Sequence, residues 1–304
     1  MHANPLISII IPTYNYDDKL PRAVNSVLKQ LTARHELIVI DDGSTDSTQA
    51  VLADLHRENQ NFRMIYKENG GLASVRNLGV SEALADYLIF LDADDELEGD
   101  ALSHIEQHID KNPSSKMIIG GYTSVSSCGV NRRLSLPDVL PNDPVARVKS
   151  YLIDKTISLA NGATVMHRSL FERGLYPEYF RNAEDLPVFA QALGNYECSI
   201  LKESIALIHR HEASLRHNVA YDKEVGLAVV SEIFSSGRLP SKFKVLKEQF
   251  VAQRALSLFR AYYAAGLYND AKEMYLLALK SSWRSLFKIS YTRKFIKMLV
   301  MRQG

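Results

Sequence analysis

The chain has 304 residues, of which 46% are hydrophobic and 23% are charged, a composition typical of a soluble globular protein and not of a disordered one. Its two cysteines, Cys128 and Cys198, lie far apart without a CxxC spacing, which argues against a disulfide framework and a thiolate metal site and fits a reducing cytoplasm. The net charge of +1 hides an uneven distribution of charge along the chain, and the absence of any run of eighteen apolar residues argues against a membrane-spanning chain.

The first hundred residues alternate between short apolar runs and amphipathic segments. The apolar runs predict buried strands over 6–11, 36–40, 62–66 and 87–91, and the spacing between them predicts helices over 20–31, 45–59 and 72–84. Pro12 stops the first strand, and Ser44 or Thr45 is the expected N-cap of the second helix. This alternation predicts an α/β fold with a mostly parallel sheet, helices on both faces and ligands at the carboxyl ends of the strands.

The rest of the chain is less regular. A helix is predicted over 101–110 and a strand over 116–120, followed by sheet-edge segments within 123–144. Further helices are predicted over 149–158, 168–173 and 185–194, and from Tyr221 onward the chain is expected to be almost all helical. Residues 264–278 resemble one hairpin of a tetratricopeptide-type repeat, which suggests a helical appendage since a single unit cannot form a solenoid.

Asp92-Ala93-Asp94 follows the most apolar predicted strand. Two carboxylates one residue apart at a strand end suit Mg²⁺ or Mn²⁺, which would also bind the phosphates of a nucleotide. Taken alone, the triplet is as well explained by acidic residues that precede a helix.

Three further polar segments lie at predicted strand ends. They are Pro12-Thr13-Tyr14-Asn15, the segment from Asp41 to Asp46, and Asn69-Gly70-Gly71 with Arg76-Asn77. Because the carboxyl ends of parallel strands share one edge, the four segments together predict a site for base, ribose and phosphates.

In this order, the four motifs resemble those of family 2 glycosyltransferases of the GT-A fold, over residues 6–216. The resemblance implies that Asp41 accepts a hydrogen bond from a uracil or thymine imide, and that Asp94 is the direct metal ligand while Asp92 contacts ribose or a metal-bound water. It also implies a catalytic domain over 1–218, divided at residue 115 into a donor half and an acceptor half, with a basic helical region over 219–304. The implied nucleotide-sugar-binding residues are Pro12, Thr13, Tyr14, Asn15, Asp41, Gly71, Arg76, Asp92 and Ala93.

Two later segments complete the resemblance. The family's Glu-Asp pair matches Glu184-Asp185, which implies that Asp185 is the general base and Glu184 its orienting neighbour; the alternative is that both acids only favour a helix N-terminus. His211, in His209-Arg210-His211, matches the family's histidine-containing segment and is a candidate third metal contact, although a histidine there is as well explained as a hydrogen-bonded surface residue. Asn161-Gly162-Ala163 is expected on the acceptor side.

The resemblance further implies inverting transfer of a single hexosyl or deoxyhexosyl unit. Trp283 is the only tryptophan and does not lie in the Gln-x-x-Arg-Trp motif of processive members. By analogy, the expected acceptor is a cell-envelope glycan such as lipopolysaccharide core, O-antigen or capsule. Two alternatives are a nucleotide-sugar-binding module without catalysis and another nucleotide enzyme; the latter is disfavoured because no glycine-rich loop follows the first strand.

The C-terminal region is strongly basic. Residues 238–304 contain 14 Lys and Arg against 3 Asp and Glu, whereas the rest of the chain contains 22 against 32. Residues 282–304 predict a helix with an apolar face formed by Trp283, Leu286, Phe287, Phe295, Met298 and Leu299. Such a helix favours peripheral contact with an anionic membrane at its cytoplasmic face, or packing on the catalytic domain. No nucleic-acid motif accompanies the charge, so nucleic acid is not an expected partner.

Overall fold

A computed structural model describes residues 4–126, 131–134, 136–210 and 219–300. Within these ranges, nine strands form one sheet in the order β3-β2-β1-β4-β8-β6-β9-β5, with β7 paired to β6. The strands are β1 (Ile7–Thr13), β2 (His35–Asp41), β3 (Arg63–Tyr66), β4 (Tyr87–Phe90), β5 (Glu96–Leu97), β6 (Met117–Ser126), β7 (Asn131–Arg133), β8 (Thr164–His167) and β9 (Cys198–Arg210).

Helices cover both faces of this sheet. They are α1 (Leu20–Leu28), α2 (Thr48–Glu58), α3 (Leu72–Glu82), α4 (Ala101–Lys111), α5 (Pro144–Lys149), α6 (Asp185–Asn195), α7 (Val219–Val225), α8 (Ala228–Ile233), α9 (Lys247–Ala264), α10 (Tyr268–Ser281) and α11 (Ile289–Val300). The predicted fold class, a mixed and mostly parallel sheet flanked by helices with a helical C-terminal region, is confirmed.

The alternation of side chains along the central strands produces two cores. Ile9 of β1 packs on one side of the sheet with α1, α2 and α4, whereas Ile10 packs on the other side with α3, α5 and α6. Both isoleucines are fully buried, which explains why these strands are continuous apolar runs. In the parallel pair β1 and β2, Thr13 lies opposite Asp41, so the polar segments that follow both strands meet at one edge of the sheet.

Several helices differ from the sequence prediction. The first, expected to reach Leu31, ends at Leu28, and the segment expected over 168–173 is a 3-10 helix over Arg168–Glu172. The helix α2 begins at Thr48 because the hydroxyls of Ser44 and Thr45, the expected caps, bond to Asp41 and Asn15 instead. The helix expected over 149–158 begins at Pro144, where the Asp143 carboxylate accepts hydrogen bonds from two backbone N–H groups; a π-helical turn over Ser150–Asp154 then ends it.

The C-terminal region divides between two cores. Side chains from Val225 to Phe250 join the core on the α6 face of the sheet, while α9, α10 and α11 form a third cluster around Phe259 and Tyr275. The hairpin of α9 and α10 contains the repeat-like sequence. The division into domains at residue 218 stays a prediction. No helix in the described ranges is long and apolar enough to cross a membrane.

Candidate active site

The predicted base-binding carboxylate, Asp41, lies at the end of β2 and is 0% exposed. The Ser44 hydroxyl donates to its Oδ1, and Gln49 Nε2 donates to its Oδ2 at 2.8 Å. Gln49 belongs to the first turn of α2 and is itself exposed, so its amide covers a buried acid. A nucleobase that bonds to Asp41 must therefore displace or pass the side chains of Ser44 and Gln49.

The residues after β1 support this corner of the site. Pro12 and Thr13 are buried within the strand, whereas Tyr14 is exposed. Asn15 has a positive φ of 56°, which asparagine tolerates, and its Oδ1 accepts a hydrogen bond from the Thr45 backbone at 2.8 Å. The turn after β1 is thereby fixed against the turn after β2.

Asp42, next to the predicted base contact, organises the glycine segment. Its carboxylate accepts hydrogen bonds from the backbone N–H groups of Gly70 and Gly71 at 2.9 and 2.7 Å, and forms an ion pair with Lys67 at 2.6 Å. Gly71 precedes α3 with a φ of 87°, and a Cβ there would lie 2.5 Å from Nη1 of Arg181. The backbone conformation therefore favours glycine at position 71, whereas the exposed Arg181 side chain can move away from a Cβ.

We expect Gly71→Ala to destabilise the fold by roughly 1–3 kcal/mol, since the substitution imposes a strained backbone and displaces Arg181. Urea unfolding measures the change. Gly99→Ala is the matched control, because Gly99 has neither a positive φ nor an atom within 4 Å of a built Cβ. Equal urea midpoints for Gly71→Ala and Gly99→Ala would contradict the argument from backbone strain at Gly71.

Arg76 joins Asp92 to Glu184, the neighbour of the predicted general base Asp185. It lies in α3, is 1% exposed, and donates from Nη2 to Asp92 Oδ1 at 2.8 Å and from Nη1 to Glu184 Oε1 at 2.6 Å. Its guanidinium also lies over the ring of Tyr176, 5.4 Å from the centroid. Arg76 is thus a buried bridge between two carboxylates, and its expected place near the nucleotide stays a prediction.

The electrostatics of this bridge favour the charged form of Arg76 but not that of Asp92. Burial alone would lower the pKa of Arg76, but the negative charges of Asp92 and Glu184 outweigh it and the pKa is raised. Burial raises the pKa of Asp92, Arg76 opposes this shift, and the nearby charge of Asp94 adds to it. Since 37% of the Asp92 side chain is exposed, its second oxygen can still face a ligand.

Asp94 lies beside Asp92, separated by the buried Ala93. The Tyr16 hydroxyl lies 3.5 Å from Asp94 Oδ2, and Arg22 Nη2 donates to the Asp94 backbone carbonyl at 2.5 Å. Burial and the charges of Asp94 and Asp92 raise the pKa of Tyr16 far above its usual range, so the phenol remains a donor.

The predicted metal set is only partly described. His211 lies outside the described residues, and its neighbour His209 bonds to Glu96 at 2.8 Å. Among the residues that the structure describes, no group of three His, Cys, Asp or Glu side chains is arranged to hold an ion. Mg²⁺ bound with a nucleotide needs only one or two carboxylates besides phosphate oxygens and water, a donor set that Asp94 and Asp92 fit.

The predicted general base, Asp185, lies at the start of α6. Glu184 is its N-cap residue and Asp185 its first residue, preceded by Ala183 with a positive φ of 60°. Burial and the charge of Glu184 raise the pKa of Asp185 to about 6, although Arg76 opposes the shift. A carboxylate with this pKa is deprotonated at pH 7 yet basic enough to take a proton from a hydroxyl.

Arg76 thus connects Asp92 of the first predicted acid pair with Glu184 of the second. A comparison with family models identifies the proteins to which this chain is related. The model described as glycosyl transferase family 2 matches residues 8–180, more than half of the chain. The chain belongs to glycosyl transferase family 2. Asp92, Asp94 and Arg76 lie within the matched range, while Glu184 and Asp185 follow its end.

Curated relatives extend the family assignment. Over 220 residues, covering 69% of this chain and 63% of the relative, the chain is 27% identical to the uncharacterized glycosyltransferase EpsJ of Bacillus subtilis. It is 43% identical to the chondroitin synthase of Pasteurella multocida over 102 residues, which are 34% of this chain and 11% of the synthase. The chain therefore spans less than two thirds of the length of either relative.

A solved structure shows the same fold. Staphylococcus aureus TarS 1–349 in complex with UDP-GlcNAc matches with a TM-score of 0.59 and 17% identity, over 96% of this chain and 89% of TarS. At this identity the match establishes the fold alone, and the GT-A architecture expected of this family 2 chain is confirmed.

Several contacts of this family 2 site were not predicted from sequence. Tyr176 lies under Arg76 and donates its hydroxyl to Asn161 Oδ1 at 3.3 Å, which ties the expected acceptor segment to the carboxylate bridge. Tyr16, Arg22 and Gln49 were also missed. No motif marks these residues, and each acts through a side chain whose direction depends on tertiary packing.

Proposed function

We propose that this chain transfers a single sugar, with inversion, from a UDP- or dTDP-sugar to a hydroxyl of a cell-envelope glycan. The observation that supports this most directly is the Arg76 bridge, because one guanidinium bonds both to Asp92, the proposed donor-side residue, and to Glu184, the neighbour of the proposed base Asp185. A module that only binds nucleotide sugars has no need of a carboxylate with a pKa of about 6 at that position.

A uracil- or thymine-type donor fits the corner around Asp41. A carboxylate accepts the imide proton of these bases, and neither cytosine nor adenine has such a proton. The exposed Tyr66 is paired with Asp41 across β2 and β3 and offers a ring beside the corner. The complex of the structural relative TarS with UDP-GlcNAc is consistent with a UDP-type donor.

In the proposed reaction, Asp185 accepts the proton of the acceptor hydroxyl as its oxygen attacks the anomeric carbon. The bond from that carbon to the diphosphate oxygen breaks, the nucleoside diphosphate leaves with the electron pair, and attack from the opposite side inverts the centre. Arg76 donates a hydrogen bond to Glu184, and the charge of Glu184 raises the pKa of Asp185. A divalent ion bound at Asp94 with the donor phosphates would neutralise charge on the departing diphosphate.

The acceptor class is proposed from the name of a curated relative. The Pasteurella multocida relative is named a chondroitin synthase, and the chain covers only a small part of it. We propose a polymeric or lipid-linked envelope glycan, for which lipopolysaccharide core, O-antigen and capsule are the candidates to assay.

Release of nucleotide from a panel of UDP-, GDP- and dTDP-sugars with Mn²⁺ tests this function. We expect turnover of a UDP- or dTDP-sugar, and a loss of about 10²-fold or more in Asp94→Ala if the metal neutralises the leaving group. Asp138→Ala serves as the control, because Asp138 is exposed and pairs with the exposed Lys202 at the surface. Absence of turnover by the wild type with every donor and with added glycan acceptors would refute the proposal.

We also propose peripheral contact with an anionic membrane. The prediction of one helix is wrong, because a 3-10 helix over Trp283–Phe287 is followed by the separate helix α11. In α11, Phe295 stacks on Tyr275 with ring centroids 4.2 Å apart and Met298 is buried. In contrast, Trp283 and Phe287 are 65% and 70% exposed. Arg284, Lys288 and Ile289 lie beside them and are exposed as well, an apolar and basic surface suited to anionic lipid.

We expect Trp283→Glu/Phe287→Glu to lose sedimentation with anionic vesicles, because the substitutions remove inserted rings and add repelled charge. The matched control is Leu84→Glu/Val139→Glu, which changes two other exposed apolar residues. Sedimentation that is equal for both double variants would remove the membrane proposal and leave the transferase proposal intact.

A further inference from the structure

Three arginines of the described residues are buried, and one of them has no carboxylate partner. Arg76 pairs with Asp92 and Glu184, and Arg238 pairs with Glu232 at 2.6 Å. Arg147, in α5, is 9% exposed and forms no ion pair within the described ranges. Its one hydrogen bond among those residues runs from Nη2 to the backbone carbonyl of Tyr196, at 3.2 Å.

An unpaired buried guanidinium is costly because burial removes hydration that nothing replaces. Nε of Arg147 is buried and has no hydrogen-bond partner. Nη1 also has no partner among the described residues, and Arg147 lines an open cleft. The group is therefore set to donate further hydrogen bonds to something that is not part of the described chain.

Arg147 lines a cleft with a volume of about 590 Å³. Such a volume lies within the range of about 300–1,000 Å³ that small-molecule sites occupy. A second cation, Lys242, lines the cleft and forms no ion pair within the described ranges, while its Nζ lies 5.3 Å from the centre of the Phe243 ring. Asn142 adds a polar wall, and the exposed Glu197 is the acid in the lining.

This cleft is separate from the candidate active site. It is lined by Gly194 and Asn195 at the C-terminal end of α6 and by Cys198 at the start of β9. Asp185 is at the other end of α6, about 16 Å away for an eleven-residue helix. The start of β9 also lies at the edge of the sheet opposite to the strand ends that hold Asp41 and Asp92.

We propose that this cleft binds the phosphate group of a small phosphorylated molecule or of a lipid headgroup. The guanidinium of Arg147 would donate charge-assisted hydrogen bonds from its open edge, and Lys242 would supply the second positive charge that a phosphate dianion favours. Binding gives the buried Arg147 the anionic partner that Arg76 and Arg238 have within the chain.

Titration calorimetry with inorganic phosphate and pyrophosphate tests this site, with EDTA present to strip divalent ions from the donor site. We expect Arg147→Met and Lys242→Met each to weaken binding by about tenfold or more, the usual loss for one charge-assisted hydrogen bond. Lys244→Met is the matched control, since Lys244 is exposed nearby and does not line the cleft. Lys242 is exposed, so its variant keeps the test valid if Arg147→Met fails to fold.

Vesicles containing phosphatidic acid, tested in the Trp283→Glu/Phe287→Glu background, distinguish a lipid headgroup from a small phosphorylated molecule as the source of the phosphate. Binding of soluble phosphate that depends on Arg147 or Lys242 supports a small phosphorylated ligand. Vesicle binding alone, with the same dependence, supports a lipid headgroup. Absence of both, or binding that neither substitution weakens, overturns the proposal without bearing on glycosyl transfer.

Discussion

Asp185→Asn is expected to lower kcat for sugar transfer by about 10²–10⁴-fold, the usual contribution of a general base, while leaving UDP affinity nearly unchanged. The amide keeps the shape of the carboxylate but cannot accept the acceptor's proton. The wild type should show an acid limb in its pH–rate profile at about pH 6, because the raised pKa of Asp185 leaves the base protonated below that value and deprotonated above it. Transfer rates from pH 5 to 8 measure both effects.

Glu184→Gln distinguishes a base at Asp185 from one elsewhere. The charge of Glu184 raises the pKa of Asp185, and Arg76 lowers it. Removing the charge of Glu184 takes away the first effect and leaves Arg76 less neutralised, so both changes move the acid limb to lower pH. An acid limb that stays at about pH 6 in Glu184→Gln, or full activity in Asp185→Asn, would assign the base to another residue.

The sequence was sufficient for the fold and for the edge of the sheet where the site lies. Strands such as Ile7–Thr13 and His35–Asp41 are buried on both faces, so apolar runs mark them without any tertiary information. Because parallel strands share one carboxyl edge, motif order alone predicted that the turns after β1 and β2 would meet. The register of Thr13 with Asp41 shows that they do.

The sequence did not predict which side chains of the site bond to each other. Arg76 bonds to partners 16 and 108 positions away, and nothing local in α3 shows that this residue is buried. Sequence also could not tell that Gln49 covers Asp41, since an exposed glutamine in a first helical turn is ordinary. The start of α5 was different: Asp143-Pro144 is a helix-start signal present in the sequence, and the apolar spacing that begins later obscured it.

Arg76→Met is expected to destabilise the fold by about 3–5 kcal/mol, the typical cost of removing one partner from a buried ion pair. The substitution leaves Glu184 and Asp92 facing each other without the intervening cation. The pKa of Asp92 is already raised by burial, and loss of Arg76 removes what opposes that shift. A carboxyl whose folded-state pKa is raised contributes stability at low pH that is lost as pH rises, so the deficit in urea unfolding should be smaller at pH 4 than at pH 7.

Arg63→Met is the matched control for this prediction. Arg63 also bridges two carboxylates, Glu82 at 2.5 Å and Glu36 at 3.6 Å, but 44% of its side chain is exposed, so its removal should cost less than about 1 kcal/mol. Combining Arg76→Met with Glu184→Gln should recover part of the lost stability, because the double variant no longer holds an unpaired Glu184 charge. Equal costs for Arg63→Met and Arg76→Met, or no recovery in the double variant, would mean that Arg76 stabilises through packing on Tyr176 and not through its bridge between Asp92 and Glu184.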